Sequence, residues 1–230
     1  MAAGSIPWRI CEFPLIEYGE ALRLQRLIVR AKNEGRIEDD FLLLLEHPPV
    51  FTLGRRGGRE NLTVSDAFLQ GQKIPVVQIE RGGNITYHGP GQLVAYPIVA
   101  LAKRQLSVTE FVERLESVMI GIAADFGVSA GRDSRNRGVW VGDAKLGSIG
   151  INLRRGVAFH GLALNVGTDL TPFSWINPCG LAGVCMTSLA AEAGRPIAME
   201  KARASALEHF SAVFGATLER IEPAALLEML

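Results

Sequence analysis

Two residues in this sequence are of types that can make and assist a covalent bond, and both stand in settings unusual for their kind. Cys179 lies in NPCGLAG, between Pro178 and Gly180, where proline and glycine break any core helix or strand. A thiol on a loop can meet solvent and a substrate. The same local sequence also suits an inert buried cysteine, because reactivity depends on surroundings that spacing does not reveal. Lys145 lies in VGDAKLGSIG beside Ala144, Leu146 and Gly147. It is either a surface lysine at a strand edge, the usual location, or it points inward. In the second case desolvation disfavours the ammonium and suits the amine to general-base work.

The segment RGGNITYHGPGQ, Arg81 to Gln92, gathers four glycines with Arg81, Thr86, Tyr87 and His88. Glycine lets a ligand approach backbone N–H groups closely, whereas turn chemistry alone accounts for Gly-Pro-Gly but less well for the polar cluster. His47, His88 and His160 fall at strand ends or beside glycine, and with Cys179 they raise the question of zinc. None has paired ligand spacing, so no metal is expected; His209, in a helix, reads as a surface or satisfied residue. Arginines gather at 55, 56 and 59, at 132, 135 and 137, and at 154 and 155. Solvated loops explain such runs, and an acidic protein, a phosphate-bearing carrier arm or RNA would also suit them.

The elements that must position these residues can be read from periodicity. An amphipathic helix is predicted from Tyr18 to Glu34, stopped by Gly35, and a second from Val108 to Phe126 with a Ser107–Glu110 capping box and Gly127 as its end. Strands are predicted at Phe41–Leu45, Val50–Leu53, Pro75–Glu80 and in LVAYPIV, so that two strands flank Arg81–Gln92 as one loop. Three further strands follow, VWVGDAK, LGSIGINL and VAFHGLALNV, the last two joined by a turn at Arg154 to Gly156. A closing helix pair spans Met199 to Phe214 and Ala224 to Met229. This mixture predicts an α+β fold, residues 1–230 forming a single domain with a mixed central sheet flanked by helices.

With 230 residues, 48% hydrophobic, the chain can bury a core without staples. The 24 basic residues balance 24 acidic ones, so no overall field recruits nucleic acid or an anionic membrane. No apolar run approaches the roughly 20 residues that span a bilayer, and three cysteines, an odd number, point to reduced thiols; a cytoplasmic location is expected.

In order along the chain, EHPPVFTLGRR, RGGNITYHGPGQL, DAKLGSIGINL, FHGLALNV and INPCGLAG closely resemble the successive motifs of the octanoyltransferase family, also called lipoate-protein ligase B. The resemblance covers roughly His47 to Gly183. It implies the fold of biotin and lipoate protein ligases, and an acyltransferase that moves an octanoyl group from octanoyl-acyl carrier protein to a protein lysine, without a cofactor. The acceptors it implies are the lipoyl domains of 2-oxoacid dehydrogenase complexes and the glycine cleavage H protein. It further implies Cys179 as the acyl-thioester nucleophile and Lys145 as the residue that lowers the thiol pKa. Its substrate-binding segments fall on Arg81, Gly82, Gly83, Asn84, Ile85, Thr86, Tyr87 and His88, on Ser148, Ile149 and Gly150, and on Gly161, Leu162 and Ala163. Cys185 departs from the family pattern. The alternatives are an ATP-dependent lipoate or biotin ligase, which needs no cysteine, and a non-catalytic acyl-carrier or RNA-binding module.

Overall fold

The computed structural model describes residues 7–178 and 183–230. Cys179, the expected nucleophile, lies outside the described residues. The chain begins with β1 (Trp8–Phe13), α1 (Tyr18–Asn33), β2 (Asp40–Leu45) and β3 (Val50–Leu53), followed by α2 (Asp66–Gly71), β4 (Val76–Gln78) and β5 (Ile85–His88). Then come β6 (Gln92–Ala100), α3 (Val108–Asp125), β7 (Gly138–Val141), β8 (Ala144–Arg154) and β9 (Val157–Asn165). The remainder is β10 (Cys185–Met186), α4 (Leu189–Ala193), α5 (Met199–Phe214), β11 (Leu218–Arg220) and α6 (Pro223–Glu228).

Among the described residues the main sheet runs β10-β8-β9-β6-β2-β1-β11, with β7 added to β8. It is mixed: β1 is parallel to β2 and β11, whereas β2, β6, β9 and β8 pair antiparallel in turn. Helices cover both faces. On one, Phe111, Leu115 and Met119 of α3 and Phe210 of α5 pack with Leu42, Leu44, Leu162 and Leu164; on the other, Leu24 and Ile28 of α1 pack with Leu43, Val94 and Phe159. Because β2 is buried on both faces, it reads as the uninterrupted apolar run FLLLL rather than as an alternation. The apolar face of α1 likewise drives its docking, and α3 carries the expected capping box, Ser107 accepting from the Glu110 N–H while Glu110 accepts from the Ser107 N–H. No helix among the described residues is long and apolar enough to cross a membrane.

A second sheet, β4-β3-β5, stands beside the first. Here the structure corrects two expectations. Arg81–Gln92 is not one loop: Ile85–His88 pairs antiparallel with Val50–Leu53 as β5, a register that the flanking glycines conceal in the sequence. VWVGDAK is not one strand either, since Gly142, at φ +54°, and Asp143 turn the chain between β7 and β8. At the other end of β8 the hairpin is as expected: Arg155 (φ +51°) and Gly156 (φ +81°) form a left-handed two-residue turn matched to the strand twist. β1 inserts between β2 and β11 although WRICEF offers little periodicity.

Candidate active site

The two sheets enclose a cavity of about 820 Å³. One wall is the chain from Arg81 into β5; the opposite wall is the β8–β9 ladder, where Ser148, Ile149 and Gly150 pair with Ala163, Leu162 and Gly161. The walls are tied together by the Gly82 N–H donating to the Ile151 carbonyl at 2.8 Å. Glycines set the spacing between them. A Cβ on Gly150 would lie 3.0 Å from Arg81 Cδ across the gap, and one on Gly161 would meet the Ala95 carbonyl oxygen of the adjoining strand β6 at 2.2 Å.

All the substrate-binding positions expected from sequence line this cavity except Tyr87. Successive side chains of a strand face opposite ways, so Thr86 and His88 face the cavity while Tyr87 turns to Phe51 and Phe173, each at a ring separation of 5.4 Å. Arg81 is anchored by Thr52, its Nη2 donating to the carbonyl at 2.6 Å and to Oγ1 at 2.9 Å, and its Nη1 donates to the Gly82 carbonyl at 3.0 Å.

The inner end of the cavity is aromatic and polar. His47 donates from Nδ1 to the Ile16 carbonyl at 2.7 Å, which fixes its tautomer, so Nε2 accepts the Tyr96 hydroxyl at 2.8 Å. His88 bonds Gln92 Oε1 through Nδ1 at 2.7 Å. Burial pulls the pKa of His47 down to about 4 and of His160 to about 3, and holds His88 well below the ordinary value, with Arg81 and His47 adding repulsion at His88. All three rings are therefore neutral at pH 7. Tyr18 stacks on His88 with centroids 5.9 Å apart.

Lys145 points inward and is 1% exposed. Its Nζ donates to the Arg137 carbonyl at 2.9 Å and to Asn136 Oδ1 at 3.3 Å, two residues in the cavity wall, and lies 5.2 Å from the Trp140 ring centroid. The loop carrying Asn136 and Arg137 is held by the buried carboxylate of Glu116, which accepts from the Gly138 N–H at 3.1 Å and from Arg132 at 2.9 Å. The described residues before and after Cys179 are anchored at Asn177 and at Met186–Thr187. Asn177 N–H donates to the Asn61 carbonyl at 2.8 Å, and beyond it β10 pairs Met186 with Lys145 while Thr187 N–H donates to the Lys145 carbonyl at 2.9 Å.

Sequence reasoning missed Tyr96, Glu116, Asn136 and the role of Tyr18. The available signal was a polar side chain where the pattern demands an apolar one, as with Tyr96 inside LVAYPIV and Glu116 on the inner face of α3. Among the described residues no three His, Cys, Asp or Glu side chains come together as a metal-holding group.

Residues 17–211 match the lipoyl protein ligase A/B catalytic domain family. The octanoyltransferase of Desulfotalea psychrophila is 59% identical over 172 residues, 74% of this chain and 77% of that protein. The octanoyltransferase of Caldicellulosiruptor bescii is 44% identical over 96% of this chain and 97% of its own length. Among solved structures, lipoate-protein ligase A bound with ATP superposes with a TM-score of 0.78 at 14% identity, covering 96% of this chain and 91% of that one. Biotin protein ligase from Aquifex aeolicus superposes with a TM-score of 0.52 at 11% identity, over 91% and 70% of the two chains. These last two are likenesses of fold.

Proposed function

The chain belongs to the octanoyltransferases of lipoate biosynthesis, within the lipoyl protein ligase A/B catalytic family, and on that premise we propose that it carries an octanoyl group from octanoyl-acyl carrier protein to a lysine of lipoyl domains through a thioester on Cys179. In this reading residues 1–230 form one catalytic domain. The observation that supports it most is Lys145, whose buried amine donates to Arg137 and Asn136 of the cavity wall and whose backbone carbonyl accepts from the Thr187 N–H in the segment that follows Cys179.

A free thiol is only a few per cent thiolate at pH 7, so a neighbouring base or cation raises its competence as a nucleophile. Lys145 takes the thiol proton, and the thiolate attacks the donor carbonyl. The carbon–sulfur bond to the carrier breaks, its thiol is reprotonated, and the acyl group rests on Cys179. The acceptor lysine amine then attacks this second thioester, an amide forms, and Cys179 regains its proton. Thioester exchange is nearly isoenergetic and aminolysis is downhill, so no nucleotide is consumed. Gly82, Gly83, Gly150 and Gly161 bring backbone against the acyl chain, and Arg81 with Thr86 and His88 shapes its far end.

Incubation with octanoyl-carrier protein followed by intact mass should show one added octanoyl group, mapped to Cys179. Cys179→Ala should lose it and lose on the order of 10³-fold or more in transfer rate. Near-normal turnover of Cys179→Ala, or acylation mapped to Cys185, overturns the assignment.

A further inference from the structure

Among the described residues, the buried side-chain polar atoms without a hydrogen-bond partner are Trp8 Nε1, Gln25 Nε2 and both ring nitrogens of His160. Three of these four belong to one place. The backbone N–H of His160 donates to Gln25 Oε1 at 2.9 Å, so the Gln25 amide lies against His160. His160 is 1% exposed and lines the cavity. It contrasts with its neighbours, for His47 is bonded through both nitrogens and His88 to Gln92.

Its backbone is unusual too. His160 sits in β9 at φ +58°, a left-handed conformation that is costly for a residue with a side chain. Between the pairs Ala95–Leu162 and Val99–Ala158 the β6–β9 ladder is interrupted, and there β6 carries Pro97, which has no N–H to give. Strand β9 thus departs from the ladder to place an imidazole at the cavity's inner end. A neutral imidazole has one donor and one acceptor, and buried polar groups are normally satisfied. Since the described residues supply neither partner, the cavity is where they can come from.

Resting on the acyl-transfer reading above, the register says which part of the ligand arrives there. The Lys145 side chain runs past Gly138, where a Cβ would be 3.1 Å from its Cε, and Gly138 pairs with Ser148. His160 pairs with Ile151, three residues on. That is roughly 10 Å of strand, and an extended eight-carbon acyl chain with bonds of about 1.5 Å spans about 9 Å. A chain whose thioester is served by Lys145 brings its last carbons to His160. We propose that His160, with Gln25 beside it, is a subsite for a hydrogen-bonding group on the distal end of the acyl chain, and that the enzyme accepts a distally hydroxylated medium-chain acyl group. A hydroxyl both donates and accepts, which matches a neutral imidazole.

The test compares octanoyl- and 8-hydroxyoctanoyl-carrier protein as donors. The wild type should transfer the hydroxylated chain with kcat/KM at least equal to that for octanoyl. His160→Leu, and His160→Asn, which tolerates the left-handed backbone but is too short to reach, should lower the hydroxyoctanoyl-to-octanoyl ratio about tenfold or more, as a lost hydrogen-bond match does. The ratio is taken within one variant, so general damage cancels. Independently of turnover, calorimetry on the wild type should show 8-hydroxyoctanoic acid binding at least as tightly as octanoic acid. A wild-type preference for the plain chain of about tenfold in both assays, or a ratio unchanged by both substitutions, overturns the subsite. Absence of octanoyl transfer by the wild type overturns the reaction instead, and the calorimetry still decides the subsite.

Discussion

At the scale of residues, the proposed mechanism turns on a coupling between Lys145 and Cys179. Lys145→Arg keeps a cation that cannot take a proton at working pH, whereas Lys145→Met removes charge and base together at similar length. If Lys145 acts by proton transfer, both variants lose transfer, and alkylation of Cys179 by iodoacetamide shifts towards the pH dependence of an unassisted thiol in Lys145→Met. An unchanged thiol pKa there means the two residues are not coupled. Cys185 is exposed and will also react, so the measurement belongs in a Cys185→Ser background; Cys11 is buried with its thiol pushed up to about 11, and stays inert. Half of the cavity lining falls on the short glycine-rich strings that the family resemblance picks out. Tyr18, Tyr96 and Gln25 were not legible in this way. Each sits in an element whose apolar pattern is strong enough to hide one polar member, and only the folded arrangement shows that those members converge.

At the scale of elements, periodicity found α1, α3 and α5 nearly to the residue, because each has one buried face and a clear stop. It failed where strands are short or interrupted. β5 and the break between β7 and β8 depend on pairing partners distant in sequence, and local composition reads there as glycine turns. Helix α3 both caps itself and holds the site, and the two roles can be separated. Ser107→Ala removes a capping side chain at the exposed start and should cost about 1 kcal/mol of stability with turnover unchanged. Glu116→Ala, two turns along, releases Arg132 and the Gly138 N–H and frees the loop that carries Asn136 and Arg137. It should reduce turnover at least about tenfold, more than a stability loss explains for enzyme that remains folded, because a displaced loop misplaces the Lys145 amine. Denaturation midpoints and single-turnover rates on both variants check this. Equal activity in the two would mean that Glu116 serves folding alone.

At the scale of the whole molecule, folding places three neutral histidines and the Arg81 guanidinium around one inner chamber, and this makes stability depend on pH. His47 and His160 fall to about 4 and about 3, and His88 lies well below its ordinary value of 6.5, with burial the largest cause at each. In the unfolded chain all three bind protons as the pH drops through 6.5, while the folded protein leaves them neutral. The unfolded state then holds more protons, so stability is fully present above the unfolded pKa and is lost as pH falls towards the folded values. The slope approaches about 1.4 kcal/mol per pH unit for each histidine once the unfolded chain is protonated. The most depressed carboxyl, Asp133 at about 2, leaves the interval from pH 6.5 to 5 nearly free of its contribution. Urea midpoints should therefore be level from pH 8 to 7 and fall steadily from pH 6 to 5, with unfolding at pH 5 accompanied by net proton uptake to which all three histidines contribute. His88→Gln, which retains a polar link towards Gln92, should reduce that uptake and make the fall shallower. Midpoints that stay level down to pH 5 would show that the chamber admits charged imidazole, and with it that the inner end of the cavity is open to water rather than built for an acyl chain.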